Sequence, residues 1–280
     1  MPLAELVRVV TSGRPLDGLL YRSDAARPRG GALLMHGNMR NFYTGPVRFL
    51  PPYLVPQGYD CFAFNRRAHD ILTADDDRRP EGGAFQITAE GMEDNEHAAG
   101  FLAELGHRRP IVIGHSNGGM LGTAFAASHP ETRALVLLSA HAGASISRDL
   151  ARRGQMGGVR HEELVHEAEE LVEQGRGDEL LLMPGWWYAI AARSLLDRER
   201  AMPSTVDMAA RVECPCLLIK SADEPEHLYP SQAFAERTKG PCAVELIPGA
   251  SHYYHSQQAK VAGLVADWLH DVLPAGAGDA

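Results

Sequence analysis

Short apolar runs alternate with stretches of helical periodicity over most of this chain. Residues 32–35, 59–64, 111–113, 134–138, 216–219 and 243–247 are compact and mostly apolar, the pattern of strands buried inside a sheet. Between them lie helical patterns. Residues 46–57 form one, interrupted by Pro51 and Pro52, and 88–105 form another, with Thr88 and Glu90 at its start and Gly106 as its stop. Residues 120–128 and 257–272 complete the set. Residues 5–10 and 17–22 read as two opening strands around a turn at 13–15, and the polar stretch 65–85 reads as a long surface loop. Such alternation is the signature of βαβ units and a mostly parallel central sheet flanked by helices.

The alternation stops between 145 and 210. That stretch carries helical patterns, with one at 161–174 ending at Gly175 and a second led by Trp186, Trp187 and Tyr188, and no convincing strand. The expected organisation is an α/β core built from 1–144 and 211–280, with a helical insertion at 145–210. The small-residue tail 274–280 is expected to fray.

Composition narrows the class. Of 280 residues, 45% are hydrophobic and 22% charged, which excludes disordered, collagen-like and coiled-coil chains. Net charge is 27 − 36 = −9, so phosphate backbones and anionic lipid are disfavoured: no nucleic acid and no membrane partner is expected. The arginines Arg66, Arg67, Arg78 and Arg79 come nearest to a basic patch, and the adjoining run Asp75, Asp76 and Asp77 neutralises Arg78 and Arg79 locally. No apolar run reaches the ~18 residues of a membrane span. The N-terminus lacks a basic then apolar leader pattern, so a cytoplasmic protein is expected. Cys61, Cys214, Cys216 and Cys242 lie in or beside apolar runs without metal-ligand spacing, and read as reduced, buried thiols.

The chemistry concentrates at Gly114-His115-Ser116-Asn117-Gly118, a G-x-S-x-G sequence between an apolar strand and a helical pattern. A sharp turn there lifts the serine hydroxyl clear of the sheet. In this setting the chain resembles the α/β-hydrolase family over nearly its whole length. The resemblance implies a serine nucleophile followed in chain order by an acid and then a histidine. His252, after the last apolar run, matches the family's base; His255 competes but lies further from the strand end. Asp223, after the run 216–219 and its extension to Ala222, matches the acid, with Glu224 and Glu226 as neighbours able to take its place. The loop His36-Gly37-Asn38-Met39 resembles the oxyanion loop, which implies the amides of Asn38 and Asn117 as donors. Met39 replaces Asn38 if the loop is shifted by one, and His36 supports the turn.

The sequence His-Gly-Asn also occurs in relatives that displace halide, but those carry an aspartate at the elbow, where this chain has Ser116. The insertion sits where many relatives carry a cap. Met39, Phe42, Tyr43, Met183, Trp186, Trp187, Tyr188 and Tyr253 are then candidates for an apolar pocket, or equally for cap core. The resemblance thus implies acyl transfer on a small-molecule carboxylic ester, small or medium and partly apolar, with no metal or organic cofactor. Lactones, thioesters, amides and carbon–carbon bonds beside a ketone are served by the same groups, and a receptor-like relative with slow turnover is the alternative class.

Overall fold

The computed structural model describes residues 2–11, 13–74, 77–186 and 189–273. Eight strands form the main sheet: β1 (Glu5–Val9), β2 (Leu16–Tyr21), β3 (Gly30–Met35), β4 (Tyr59–Phe64), β7 (Ile111–His115), β8 (Ala134–Leu138), β11 (Cys216–Ser221) and β12 (Cys242–Ile247). Two small two-stranded pairs are built from β5 (Thr73–Ala74) with β6 (Pro80–Glu81) and β9 (Leu180–Leu182) with β10 (Ala189–Ala191). The main sheet runs β1-β2-β4-β3-β7-β8-β11-β12. β2 is antiparallel to both its neighbours, and every other pairing is parallel.

Burial follows from the sequence pattern. β3, β4, β7, β8 and β11 are buried along their whole lengths, as strands covered on both faces must be. Period-two alternation divides their side chains between two layers. Leu34, Ile113, Val136 and Ile219 face α1 (Pro46–Phe49), α2 (Pro51–Leu54) and α10 (Gln258–Val272). Leu33, Val112, Leu135 and Leu218 face α3 (Thr88–Glu104), α4 (Asn117–Ser128) and α9 (Ser231–Ala235) through Ala98, Leu102, Phe125 and Phe234.

The segment between β8 and β11 folds as α5 (Ile146–Arg152), α6 (His161–Glu173), α7 (Ala192–Arg200) and α8 (Thr205–Ala209). α6 buries His161, Leu164, Ala168 and Leu171, one stripe at helical spacing. That stripe joins Leu150, Leu181, Ile190 and Leu195 in a separate cluster, which also takes in Met39, Met120, Leu121 and Ala124 from beneath. The inserted segment therefore sits on the N-terminal half of α4 and on the loop after β3.

Four expectations change. The insertion contains β9 and β10, strands too short to show a period. The helix expected to follow Trp186 starts at Ala192, and Trp187 and Tyr188 lie outside the described residues. Pro51 and Pro52 open a second short helix instead of breaking one, because the first turn has no use for their missing N–H groups. The stretch 65–85 contains β5, β6 and a single helical turn at Gly83–Phe85. No described helix is long and apolar enough to cross a membrane.

Candidate active site

The tight turn between β7 and α4 sets the geometry. Ser116 has φ 54 and ψ −116, a conformation strained for any side chain and kept by its surroundings. Its N–H donates to Leu138 O at 2.9 Å, and its carbonyl accepts from Gly119 and Met120, which starts α4. A methyl group on Gly118 would stand 2.3 Å from Met35 O. The glycine is therefore required for α4 to lie against the end of β3. Asn117 is the first residue of α4, where helix N–H groups are unsatisfied and the helix dipole favours negative charge.

The loop after β3 lies over this turn: a methyl on Gly37 would come within 3.3 Å of Ser116 Cβ and 3.0 Å of His115 Nδ1. His36 shapes that loop. Its Nδ1–H donates to Gly37 O at 2.8 Å and its Nε2 accepts the Arg66 N–H at 3.2 Å. Burial, then the Arg66 charge, hold His36 neutral well below the usual imidazole range. Arg66 is itself fully buried, donates Nη2 to His36 O at 2.5 Å, and is pushed down by burial to about 10. Met39 takes φ 54 and buries its side chain in the cluster under the insertion. Asn38 Oδ1 is buried without a hydrogen-bond partner among the described residues.

His252 stands on the loop after β12, anchored by the next residue but one. Tyr254 is fully buried, its hydroxyl 2.8 Å from both Ile219 O and Ser139 Oγ. His252 Nδ1 lies 2.6 Å from Glu224 Oε1. Glu224 Oε2 accepts from Ser139 Oγ at 2.7 Å and from Ser221 N at 3.0 Å. The carboxylate beside His252 is thus that of Glu224, and the expectation for Asp223 is corrected. After β11 the chain turns, with Glu224 N donating to Ser221 O at 3.2 Å. This turn carries residue 224 back under Ser139 and leaves Asp223 exposed at the tip, its N–H on Ser221 Oγ.

The other competitors are engaged elsewhere. Glu226 pairs with Lys220 at 2.6 Å and accepts from Gln232 N and Ser231 Oγ. His255 is exposed, and its ring stands 5.9 Å from that of Tyr253.

Several residues at the site carried no signal in the sequence. His115, the variable position before the serine, has Nε2 2.9 Å from His252 O. Burial, then the nearby His252, hold its ring neutral well below the usual range, so Nε2–H is the donor to that carbonyl. His141, on the loop after β8, lies beside the turn, with its N–H 3.4 Å from Ser116 O. Its Nδ1 accepts Gly143 N–H at 3.0 Å, which puts the ring proton on Nε2, and the Asn117 carboxamide, 3.3 Å away, must then present its oxygen rather than its NH2 to that proton. The Gln86 carboxamide lies 3.3 Å from the other side of Asn117. Burial first, then the charges of Arg198 and His252, push His141 down to about 3. Tyr229 also meets the site, its ring centroid 5.3 Å from that of His252.

Of the candidate pocket residues, Tyr253 packs edge-on against His252 at 5.1 Å, with the Arg40 guanidinium over its other side at 4.6 Å. Phe42 turns to the α10-side core and meets Tyr43 edge-to-face at 5.3 Å. Met183 and Trp186 belong to the packing inside the insertion. Among the described residues, no group of three or more His, Cys, Asp or Glu is placed to hold a metal ion.

This chain belongs to the Alpha/beta hydrolase family, whose model matches residues 32–264. No curated protein matches the sequence. Among solved structures it is similar to Est1E from Butyrivibrio proteoclasticus bound to ferulic acid, with a TM-score of 0.71 and 17% identity over 95% of this chain and 99% of that one. It is also similar to a thermostable carboxyl esterase from Bacillus coagulans, at TM-score 0.72 and 13% identity over 96% and 99%. A dienelactone hydrolase from Anabaena variabilis matches at TM-score 0.61 and 18% identity over 96% and 98%. At these identities the likeness is one of fold.

Proposed function

We propose that this hydrolase cleaves carboxylic esters through an acyl-enzyme formed on Ser116. The observation that carries the reading joins three strand ends: a strained serine after β7, whose neighbour His115 bonds His252 O, and His252 after β12, held through Nδ1 by Glu224 after β11. With Nδ1–H bonded to Glu224, Nε2 of His252 is left as the proton acceptor. Ser116 Oγ attacks the ester carbonyl as His252 takes its proton, and the carbonyl π pair moves onto oxygen. That oxyanion is held by the N–H groups of Asn38 and Asn117, each worth roughly 3–4 kcal/mol. Collapse breaks the bond to the alkoxide, which takes the proton from His252. Water then attacks the acyl group with the same base and releases the carboxylic acid and free Ser116.

An ester is favoured over an amide because its alkoxide leaves more readily. Ser116 at the elbow, in place of a carboxylate, supports acyl chemistry over halide displacement. The inserted segment acts as the cap, and its contact with Met39 and α4 links it to the oxyanion loop.

Treatment with a fluorophosphonate, followed by mass spectrometry, tests the reading. An adduct on Ser116 that is absent from Ser116→Ala is expected, together with turnover of short p-nitrophenyl esters. Folded wild-type protein that takes up no adduct would overturn it.

A further inference from the structure

An arginine buried without a carboxylate partner is expensive to keep, since desolvation of its charge is not offset by pairing. Arg198 of α7 is 7% exposed. Its Nε donates to Ser147 Oγ at 2.9 Å. Neither Nη has a protein partner among the described residues, and neither is among the polar atoms sealed in the interior. The open side of the fork therefore faces accessible space.

The anchor of the fork leads towards the site: Ser147 follows Ile146, whose N–H donates to Gly143 O at 2.8 Å, and Gly143 N–H donates to His141 Nδ1 at 3.0 Å. The Arg198 charge acts on His141 and on Tyr229. His141 is bonded to the nucleophile turn, and the Tyr229 ring lies against His252. Arg153, exposed just past the C-terminal end of α5, acts on Tyr229 as well and has no ion pair among the described residues. Glu224, which also acts on Tyr229, is already bonded to His252, Ser139 and Ser221. Among the described residues, two cations within electrostatic reach of Tyr229 thus have no ion-pair partner, in a chain with 36 acidic residues.

We propose that Arg198, with Arg153 at the rim, binds a carboxylate carried by the substrate, so that the preferred esters are anionic. A guanidinium fork gripping a carboxylate through two N–H groups is the strong, geometry-specific form of this contact. The inference rests on the ester-hydrolase reading for its kinetic part and not for its binding part.

Two substrate pairs locate the charge. Mono-p-nitrophenyl glutarate against its methyl ester places the carboxylate on the acyl side; carboxyphenyl butyrate against its methyl ester places it on the alcohol side. Wild-type enzyme should favour the anionic member of one pair at least about tenfold in kcat/KM, and Arg198→Met should abolish that preference. Arg198→Lys should keep part of it, retaining the charge without the fork. The absence of a preference in both pairs, or a preference that survives Arg198→Met, would refute the site. Should Arg198→Met not fold, Arg198→Lys and Arg153→Gln carry the same comparison.

Calorimetric binding of monomethyl glutarate to Ser116→Ala protein gives a readout without turnover. Weakening of at least about tenfold on adding Arg198→Met supports the site, and unchanged binding overturns it. Protein that binds this anion through Arg198 yet hydrolyses no ester would refute the acyl-transfer reading alone.

Discussion

At the scale of the residue, the choice of acid turns on one position. Glu224 and Asp223 are adjacent, both carboxylic and both just past β11, and nothing in their spacing separates them. The turn that brings Glu224 N onto Ser221 O decides between them. Glu224→Gln should keep the geometry but lose the charge that fixes the tautomer of His252. A fall in kcat of about 10³–10⁴ is expected, by analogy with the corresponding change in a serine protease triad. Asp223→Asn should stay within about twofold, and equal losses in the two variants on a p-nitrophenyl ester would return the acid to Asp223. His115 has a different role: it occupies the backbone carbonyl of His252. His115→Phe keeps an aromatic ring but leaves that carbonyl without its donor, which should cost about 1–3 kcal/mol in urea unfolding. The positions of Ser116 at a strand-to-helix turn and of His252 after the last strand were legible from their flanking apolar runs. His115, His141 and Tyr229 were not, because their relation to the site is made through space between strand ends.

At the scale of the element, legibility tracked length and burial. The fully buried strands announced themselves as apolar runs, whereas β9 alternates over three residues, with Leu181 buried between exposed neighbours, and offers no period to read. The β7–α4 unit is fixed by contacts of backbone on backbone. Gly118→Ala would place a methyl 2.3 Å from Met35 O and 2.5 Å from His36 O, neither able to swing aside. The helix must then shift off the sheet, and thermal unfolding should show a loss of about 3 kcal/mol or more. The insertion depends on a titratable pair. His161 Nε2 lies 3.2 Å from the buried Glu199 carboxylate, and that hydrogen bond, helped by Met156 O, raises the imidazole above its ordinary value. A histidine raised on folding lends stability that is complete below about pH 6.5 and disappears as pH climbs through its folded value. The loss in thermal midpoint caused by His161→Gln should accordingly be larger at pH 6 than at pH 9. A penalty independent of pH would mean that the pair contributes by packing alone.

At the scale of the whole molecule, the carboxyl ends of three central strands carry a layer of buried neutral imidazoles. His36 follows β3, His115 ends β7 and His141 lies beyond β8, on three adjacent strands. Burial is the first cause in each case, and one neighbouring group adds to it: Arg66 at His36, His252 at His115, Arg198 at His141. All three are depressed below the imidazole value that the unfolded chain would show. Their contribution to stability is therefore complete above about pH 6.5 and is lost as pH falls, because unfolding then takes up protons. His161 does not offset this in the acid range, since below about pH 6 it is protonated in both states. Each histidine should add a slope approaching about 1.4 kcal/mol per pH unit between roughly pH 6 and pH 5, before most carboxylates titrate. Unfolding free energies from urea titrations across that interval should show an uptake of about three protons. Asparagine in place of His141, a smaller group able to keep one polar contact, should remove about one of them. An uptake below one proton would show that these imidazoles are charged in the folded protein, and would withdraw the neutral donor assigned to His115 along with the proton placed on His141 Nε2.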